Sequence, residues 1–322
     1  MKKILVILAI IMMILVGGCK SDKDTGGGSK AFVGGDTAIE MEFIDGAPPD
    51  EVYDNGQYPF SVAIKIENVG EEDIDVNQGY IKITGINPTD FGKSSVDMTQ
   101  DFPDDLDGVK KNVDGSTLSG GVGIAEFNDL NYEPDVAGDF EGPRIRAEAC
   151  FDYKTRASSN ICVKEDLLTN EGSESICELS EDKDVENSGG PIQVTSVTEQ
   201  PMGSDKIHVS FVVDHVGDVN DRFFKVSTEC DDKPTNSDRY KVFVDVTSDI
   251  NGVTAECSGL QDASSDKSSG YITLFDKEPR TVICSFDVSG ASGEFEDLFT
   301  VELSYRYMQF IEKNILVKDV KT

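Results

Sequence analysis

Short runs of alternating apolar and polar residues follow one another along the chain from residue 39 onward. The segment IEMEF places Ile39, Met41 and Phe43 on one side and two glutamates on the other, and FSVAIKIENVG continues the same two-residue period. This period is typical of strands with one buried face, and the Gly, Pro, Asn and Asp between the runs favour turns. The pattern therefore predicts an all-β protein built as a sandwich of sheets.

The pattern occurs twice in the chain. When Gly217 is laid on Gly70, KIHVSFVVDHVG matches PFSVAIKIENVG, and apolar positions fall on apolar positions. A constant offset of 154 residues aligns the later strands of the two halves better, with Val301 on Ala147. Because each copy is long enough to bury a core of its own, the repeat predicts two sandwiches of the same design.

Two cysteines of the first copy are missing from the second. The offset lays Ser304 on Cys150 and Leu316 on Cys162. Two halves of one bridge are expected to disappear together, so the sequence predicts a hairpin centred near Arg156 with Cys150 bonded to Cys162. The alternative is a pair of buried free thiols, which the polar neighbours of both cysteines disfavour.

The other cysteines are predicted to form bonds as well. Seven cysteines are present, and the six that follow the N-terminal segment are an even number that three bridges satisfy. VTAECSG and TVICSF have the pattern of strands, which favours a Cys257–Cys284 bond and leaves Cys177–Cys230. Four cysteines allow three pairings, so the other pairings of these four stay open. No Cys-x-x-Cys spacing supports a zinc site.

The N-terminus has the form of an export signal. Lys2 and Lys3 precede an apolar run from Ile4 to Val16, which is short for a membrane span. The run ends in VGGC, which resembles a lipobox, and this resemblance implies that Cys19 becomes the mature N-terminus and carries a lipid. The alternative is an uncleaved signal anchor with an incidental cysteine. The sequence predicts a protein exported and held by its lipid at the outer face of the cytoplasmic membrane.

These features divide the chain into five predicted segments. The segments are a lipoprotein signal peptide at 1–18, the lipidated cysteine with a flexible Gly-rich tether at 19–36, a first sandwich at 37–166, an acidic Ser-rich linker at 167–190 and a second sandwich at 191–322.

The excess of acidic over basic side chains disfavours nucleic acids as partners. The 322 residues include 61 acidic and 29 basic side chains, which gives a formal net charge of −32. Such a charge repels phosphate backbones, so nucleic-acid binding is disfavoured. A saline habitat and ordinary surface acidity are alternative reasons for the charge.

Four segments of the chain together resemble one known group of proteins. The segments are AFVGGDTAIEMEFIDGAPPDEVYDNGQYPF, GYIKITGINPTDFG, ACFDYKTRASSNICV and GGPIQVTSVTEQ. They look like secreted archaeal lipoproteins with tandem immunoglobulin-like sandwich domains, and the IENVG strand resembles adhesion-type sandwich modules of prokaryotic surface proteins. The resemblance implies two tandem immunoglobulin-like β-sandwiches and no assigned activity. The inter-sheet disulfide packed on tryptophan in antibody domains is absent, since the chain has no tryptophan.

Candidate catalytic residues are few. The two histidines, His208 and His215, lie seven positions apart on one predicted strand, which directs them to opposite faces. Nothing local places either of them beside a serine, as a catalytic triad requires. Both are predicted to be ordinary strand residues, and no catalytic residue is predicted.

Two acidic loops are candidate calcium sites. GDVNDR offers the oxygens of Asp218, Asn220 and Asp221. DFPDDLDG offers four carboxylates, at Asp101, Asp104, Asp105 and Asp107. Dense oxygen ligands suit calcium, whose coordination is flexible, but neither loop has the EF-hand spacing. Solvated acidic loops without a metal are the favoured alternative, and no other cofactor is predicted.

The expected function is non-enzymatic. The chain is expected to be a cell-surface lipoprotein with a structural, adhesive or other envelope role, anchored through Cys19, with a protein or glycan partner at the surface. A ligand-binding accessory lipoprotein is the first alternative, which a deep apolar pocket between the domains would favour. The second is an extracellular hydrolase with calcium-supported loops, which a buried histidine beside a serine or carboxylate in a cleft would favour.

Overall fold

The structure is a computed structural model that describes residues 30–167, 175–179, 182–233, 235–248 and 253–320. The predicted signal peptide and lipidation site at Cys19 lie outside these residues. No helix in the described part of the chain is long and apolar enough to cross a membrane. Residues 31–322 form one compact unit.

The described residues are almost entirely strands and connections, which confirms the predicted all-β class. Three single turns of 3₁₀ helix interrupt the strands, at Val76–Gln78, Pro88–Phe91 and Phe275–Lys277. In chain order the strands are β1 (Ile39–Phe43), β2 (Glu51–Tyr53), β3 (Phe60–Asn68), β4 (Gly79–Thr84), β5 (Thr99–Asp101), β6 (Lys110–Lys111), β7 (Thr117–Leu118), β8 (Val122–Leu130), β9 (Phe140–Lys164), β10 (Asp182–Lys183), β11 (Val185–Asn187), β12 (Ile192–Pro201), β13 (Lys206–His215), β14 (Arg222–Phe224), β15 (Lys241–Ser248), β16 (Glu256–Ser258), β17 (Ser269–Thr273), β18 (Arg280–Asp287) and β19 (Glu294–Lys318).

Two long antiparallel strands, β9 and β19, form the centre of the molecule. Each has 25 residues, and they pair along nearly their whole length. At roughly 3.3 Å per residue, each strand spans about 80 Å. Strands β15 and β17 continue the sheet beyond β19, and β4 and β5 continue it beyond β9. This central sheet therefore runs through both halves of the sequence.

Two smaller sheets accompany the central sheet, with strand orders β1-β3-β8 and β10-β12-β13-β18-β16. Strands β3 and β13 each lie between two antiparallel neighbours, and their matched residues Ile64 and Phe211 are fully buried. The rings of Phe211 and Phe286 lie 5.7 and 6.0 Å from the ring of Phe299 in β19. The second small sheet thus packs on the central sheet, as expected for a sandwich.

The repeat detected in the sequence has a direct structural meaning. The 154-residue offset carries Asp152 of β9 onto Arg306 of β19, and these two residues are also partners in the antiparallel pairing. An axis through this pair therefore exchanges β9 and β19, and with them the two copies. The predicted domains share their central sheet, because the second half of β9 pairs with the first half of β19.

The hairpin predicted near Arg156 does not form, because β9 continues straight through this residue. Its partner in β19 is Glu302. The polar residues that suggested a turn, Ser158 and Ser159, pair with β11 on one side and β19 on the other. Twelve residues along one strand separate Cys150 from Cys162 by about 40 Å, so the predicted bond between them is wrong.

All six remaining cysteines are bonded, and one predicted pair is confirmed. Cys257 and Cys284 face each other on β16 and β18 and are bridged. The predicted Cys177–Cys230 pair is wrong. The two other bridges are Cys150–Cys230 and Cys162–Cys177. Three disulfides indicate an oxidising compartment outside the cytosol.

The predicted linker at 167–190 is structured in the part that the structure describes. Strand β10 pairs with β12, and β11 pairs with β9. Lys183 and Glu199 form an ion pair of 3.1 Å, and their side chains are only 8% and 0% exposed. Both oxygens of Glu199 also accept the backbone N–H of Cys162. This segment is therefore part of the folded body.

The N-terminal residues of the body are fixed at its middle. Glu71 accepts the backbone N–H groups of Val33 at 3.0 Å and Gly34 at 2.9 Å, and also that of Gly189 at 2.8 Å. The carbonyl of Gly189 in turn accepts the hydroxyl of Tyr153, which neighbours the central Asp152. Residues 33 and 34 of the predicted tether thus belong to the folded body.

Candidate functional site

A cleft of about 540 Å³ opens in the described structure. One wall is the segment 36–42, which includes most of β1, and a second wall is the loop after β13. The middle of β19 contributes the floor with Tyr307, Gln309, Phe310 and Ile311. Cavities of roughly 300–1,000 Å³ are typical of small-molecule sites, so the cleft is the candidate functional site.

A chain of hydrogen bonds joins two lining residues of the cleft, Tyr307 and Asp221, to His215, which is not part of the lining. The hydroxyl of Tyr307 donates to Oδ2 of Asp221 at 2.9 Å, and Nε2 of His215 lies 3.1 Å from the same hydroxyl. The ring of His215 stacks on Phe223 with centroids 5.3 Å apart. Gly217 permits this packing, because a Cβ there would come within 2.6 Å of the Tyr307 hydroxyl. Two distant segments, 215–221 and β19, therefore build one polar cluster.

Burial changes the proton affinity of every member of this cluster. It lowers the pKa of His215 to about 4, with a further contribution from the positive charge of Lys277. It raises the pKa of Asp221 to about 6, and burial beside Asp221 raises the pKa of Tyr307 far above its usual range. At neutral pH His215 is therefore neutral and Asp221 ionised. The tautomer of His215 follows, because Nε2–H must donate to the hydroxyl that donates to Asp221.

The cleft is lined mainly by acidic groups and apolar side chains. Its six acidic residues are Asp36, Glu40, Glu42, Glu67, Asp218 and Asp221. Its single basic residue, Lys65, lies 3.1 Å from both Glu42 and Glu67, and these carboxylates raise the pKa of its ammonium group. Asp221 forms no ion pair with any described residue. The buried Oε1 of Gln309 likewise has no hydrogen-bond partner among the described residues.

The carboxylates of the cleft are spread around it and do not converge on one point. Among the described residues, one group of three ligand atoms lies within 4.8 Å, at Cys162, Cys177 and Glu294. The two sulfurs of that group are bonded to each other. Neither acidic loop flagged in the sequence forms such a group. Asp105 instead accepts the backbone N–H of Val76 at 2.8 Å, and Asp218 accepts that of Asn220 at 2.7 Å.

The histidines were predicted to lie on opposite faces as ordinary strand residues. His208 is half-buried among polar neighbours on β13, whereas His215 lies on the core-facing side at the end of the strand. The lining of the cleft, which does not include His215, contains no serine or cysteine among the described residues. Tyr307 lies 92 residues away from its partner His215, so no local motif predicts this contact.

The first copy contains a matched site with different chemistry. The offset lays Tyr307 on Tyr153, whose hydroxyl donates to the carbonyl of Gly189 at 2.9 Å. Laying Gly217 on Gly70 also lays His215 on Asn68, a fully buried amide that donates to two backbone carbonyls. As at Gly217, a Cβ on Gly70 would strike the tyrosine hydroxyl, here at 1.8 Å. The two copies keep the tyrosine–glycine contact and differ in the ionisable partners.

Comparisons with known proteins add little to this geometry. No family model matches the chain, and no curated protein matches it. Among solved structures, the secreted serine protease VesC from Vibrio cholerae matches over 85% of this chain at 8% identity, with a TM-score of 0.16. The chain spans about half the length of that protein, 50% of it. A TM-score this low carries no argument about fold or function.

Proposed function

We propose that the chain is an exported, lipid-anchored and non-enzymatic protein that binds a ligand at the cell surface. The observation that supports ligand binding is the 540 Å³ cleft whose lining includes Tyr307 and Asp221, with His215 hydrogen-bonded to Tyr307. Of the non-enzymatic roles expected from the sequence, a purely structural or adhesive role needs no such cleft. The mixed acidic and apolar lining differs from the deep apolar pocket expected for an accessory protein.

The rest of the body suits a rigid support for this cleft. The cleft walls come from β1, the loop after β13 and the middle of β19, which belong to different copies of the repeat. The Cys150–Cys230 bridge joins those copies across 80 residues of chain. A pre-formed, rigid site loses little conformational entropy when a ligand binds. The geometry around His215 supports binding over hydrolysis, because its hydrogen-bond partner is a tyrosine.

Export and anchoring are tested in cells. Full-length protein is expected in the membrane fraction and accessible to protease added outside intact cells, whereas Cys19→Ala is expected to be released from the membrane or to keep its signal peptide. Intact mass spectrometry measures the acyl group directly. A parent protein whose mass shows residues 1–18 still attached and no acyl group would contradict the anchoring.

Ligand binding is tested on the purified full-length protein in detergent. A library of cationic, neutral and anionic small molecules is screened by thermal unfolding, because a ligand at 100 times its dissociation constant stabilises the native state by about 2.7 kcal/mol. At least one class is expected to raise Tm. If no class does so at millimolar concentration, the role as a binding protein is wrong and a purely structural one replaces it.

A further inference from the structure

The duplication offers an internal control for what the fold alone requires. In the first copy the Tyr153 hydroxyl bonds only to backbone groups, the carbonyl of Gly189 and the N–H of Glu72. The second copy holds Tyr307 with an imidazole and a carboxylate. When Gly217 is laid on Gly70, His215 and Asp221 fall on Asn68 and Ile74, so the first copy packs its tyrosine without a histidine or an aspartate at these two positions. The presence of His215 and Asp221 beside a cleft points to a ligand.

The charges around the cleft determine the sign of that ligand. The six lining carboxylates face one lysine, and two of them already flank that lysine. Among the described residues, no lysine or arginine lies within ion-pair distance of the Asp221 carboxylate. The cations that act on its charge, Lys277 and Arg222, donate to backbone carbonyls of the same loop, Lys277 to Val219 and Arg222 to Asn220 and Asp221. A buried carboxylate without an adjacent cation is costly, and a bound cation relieves that cost.

The shape of the cleft determines the kind of cation. A metal ion needs several oxygens that converge within one coordination shell, and the described carboxylates do not provide this. The opening is also far larger than one ion. Its apolar lining includes Met41, Phe310 and Ile311, which suits a hydrocarbon body. One face of the Phe310 ring is already covered by the guanidinium of Arg146, whose carbon lies 4.2 Å from the ring centroid, so Phe310 is assigned to the hydrocarbon part of a ligand and not to its charge.

We infer that the cleft binds an alkylammonium ion, with its ammonium group at Asp221 and its carbon chain along the apolar wall formed by Met41, Phe310 and Ile311. A second ammonium group of a diamine would reach the carboxylates of β1, of which Glu40 is exposed and unpaired with Lys65. This inference rests on the proposed ligand-binding function and names its ligand class. A free diamine and a lysine side chain of a partner protein share this chemistry.

The experiment is calorimetric titration of the full-length protein in detergent at pH 8 and low salt, where Asp221 is ionised. The probes are 1,5-diaminopentane, the uncharged 1,5-pentanediol of the same length, calcium chloride, and a peptide whose only charged side chain is one lysine. We expect the diamine to bind and the diol to give no heat. Tighter binding of the peptide than of the diamine would assign the ammonium group to a partner protein, and the reverse order to a free amine.

Two cleft variants and one matched control locate the site. Asp221→Asn is expected to weaken diamine binding by about tenfold or more, since a charge-assisted hydrogen bond contributes about 1.5–3 kcal/mol. Glu40→Gln on the opposite wall is expected to weaken it several-fold, and it keeps the proposal testable if Asp221→Asn unfolds. Asp104→Asn makes the same charge change on an exposed loop outside the cleft and is expected to leave affinity unchanged.

Three results would overturn the inference. They are no heat from either amine probe, an equal loss of affinity in Asp104→Asn and Asp221→Asn, or calcium binding that displaces the diamine at equal concentration. Each of these leaves surface anchoring untouched, because anchoring is measured in cells on Cys19→Ala. A neutral or anionic hit in the thermal screen together with silent amines would keep the binding function and reject this ligand class.

Discussion

Tyr153 and Tyr307 occupy the same place in two copies of one unit, yet their hydroxyls have different partners. The hydroxyl of Tyr153 is enclosed by backbone, with Gly70 against it and the carbonyl of Gly189 as acceptor. The hydroxyl of Tyr307 lies between His215 and Asp221 at the floor of an open cleft. What the copies share maintains the fold, and what they do not share marks where function is to be sought.

The largest expected effect concerns the bridge that joins the two copies. Ser304 stands in the second copy where Cys150 stands in the first, so only the position in the first copy forms a disulfide. Replacing Cys150 and Cys230 together by alanine should lower the free energy of unfolding by about 4.5 kcal/mol in the chain-entropy model, against about 3 kcal/mol for Cys162 and Cys177. Denaturant unfolding of both double variants measures the order, and the reverse order would contradict it.

The two glycines under the tyrosines test how tightly each site is closed. Gly70→Ala drives a methyl to 1.8 Å from the Tyr153 hydroxyl in a backbone-lined site and should cost about 3 kcal/mol. Gly217→Ala meets the Tyr307 hydroxyl at 2.6 Å beside the open cleft and should cost about 1–2 kcal/mol. Gly290→Ala, with no atom within 4 Å, is the control. Equal losses at Gly70 and Gly217 would show that the sites are equally closed.

Removing each hydroxyl sharpens the same comparison. Tyr153→Phe leaves the carbonyl of Gly189 without its donor and should cost about 1 kcal/mol at any pH. Tyr307→Phe leaves a half-buried carboxylate without its donor, which costs about 1–3 kcal/mol when Asp221 is ionised. The second loss should therefore be larger at pH 8 than at pH 5. Urea unfolding at both values measures this, and a pH-independent loss in Tyr307→Phe would contradict the assignment.

The titrating pair in the second copy predicts opposite pH dependences for two variants. The raised pKa of Asp221, from 3.8 to about 6, contributes stability that is full below about pH 4 and lost as pH rises through 6. The lowered pKa of His215, from 6.5 to about 4, contributes stability that is full above about pH 6.5 and lost as pH falls through 4. The two contributions oppose each other in the parent protein.

Replacing one member of the pair at a time makes the contribution of the other member to stability measurable. Relative to the parent, Asp221→Asn should lose stability as pH falls from 6.5 to 4, because only the contribution of His215 remains. His215→Gln should gain stability over the same interval, because only that of Asp221 remains. Urea midpoints at pH 4, 5, 6 and 7 give both slopes. Slopes of the same sign in the two variants would rule out the assigned hydrogen-bond chain.

The smallest expected effect concerns the ion pairs between β9 and β19, which both copies share. Glu302 lies 3.0 Å from Lys154 and 3.2 Å from Arg156. Glu302→Gln should cost at most about 1 kcal/mol and less in high salt, because these groups are partly exposed. Glu296→Gln is the control, because Glu296 of β19 contacts Asn160 and forms no ion pair with a lysine or arginine in the described part of the chain. A loss as large as that of a core glycine would mean that this pair fixes the strand register.

Strand positions and the internal repeat could be predicted from the sequence because both follow from the local alternation of apolar and polar residues. The matched residues Ile64 and Phe211 are buried in equivalent strands, as alternation predicts. The path of β9 could not be predicted in this way, since Ser158 and Ser159 look like turn residues. Their polar groups are satisfied by pairing, and Ser159 Oγ donates to the carbonyl of Asp184. The partner strands β11 and β19, which are distant in sequence, therefore determine that this segment is a strand and not a turn.

The cleft was only partly predictable for the same reason. The local sequence predicts oxygen ligands in the loop with Asp218 and Asp221, and His215 is one of only two histidines in the chain. Their shared partner, Tyr307, comes from the far end of the chain, and its burial creates the altered proton affinities. A local motif search has no access to that contact. The matched tyrosine of the first copy was the one available signal, through the 154-residue offset.

The position at which the N-terminal segment joins the body has a mechanical consequence. Glu71 holds Val33 and Gly34 beside Gly189, close to the midpoint of the long strands. In a molecule anchored through its N-terminus, as proposed, a pull from the membrane would load the long strands near their midpoint, so the force would divide between both arms and would not peel strands from one end. The first contacts to carry that force would be those of Ala31 with Glu186 and of Val33 and Gly34 with Glu71, before any strand separates.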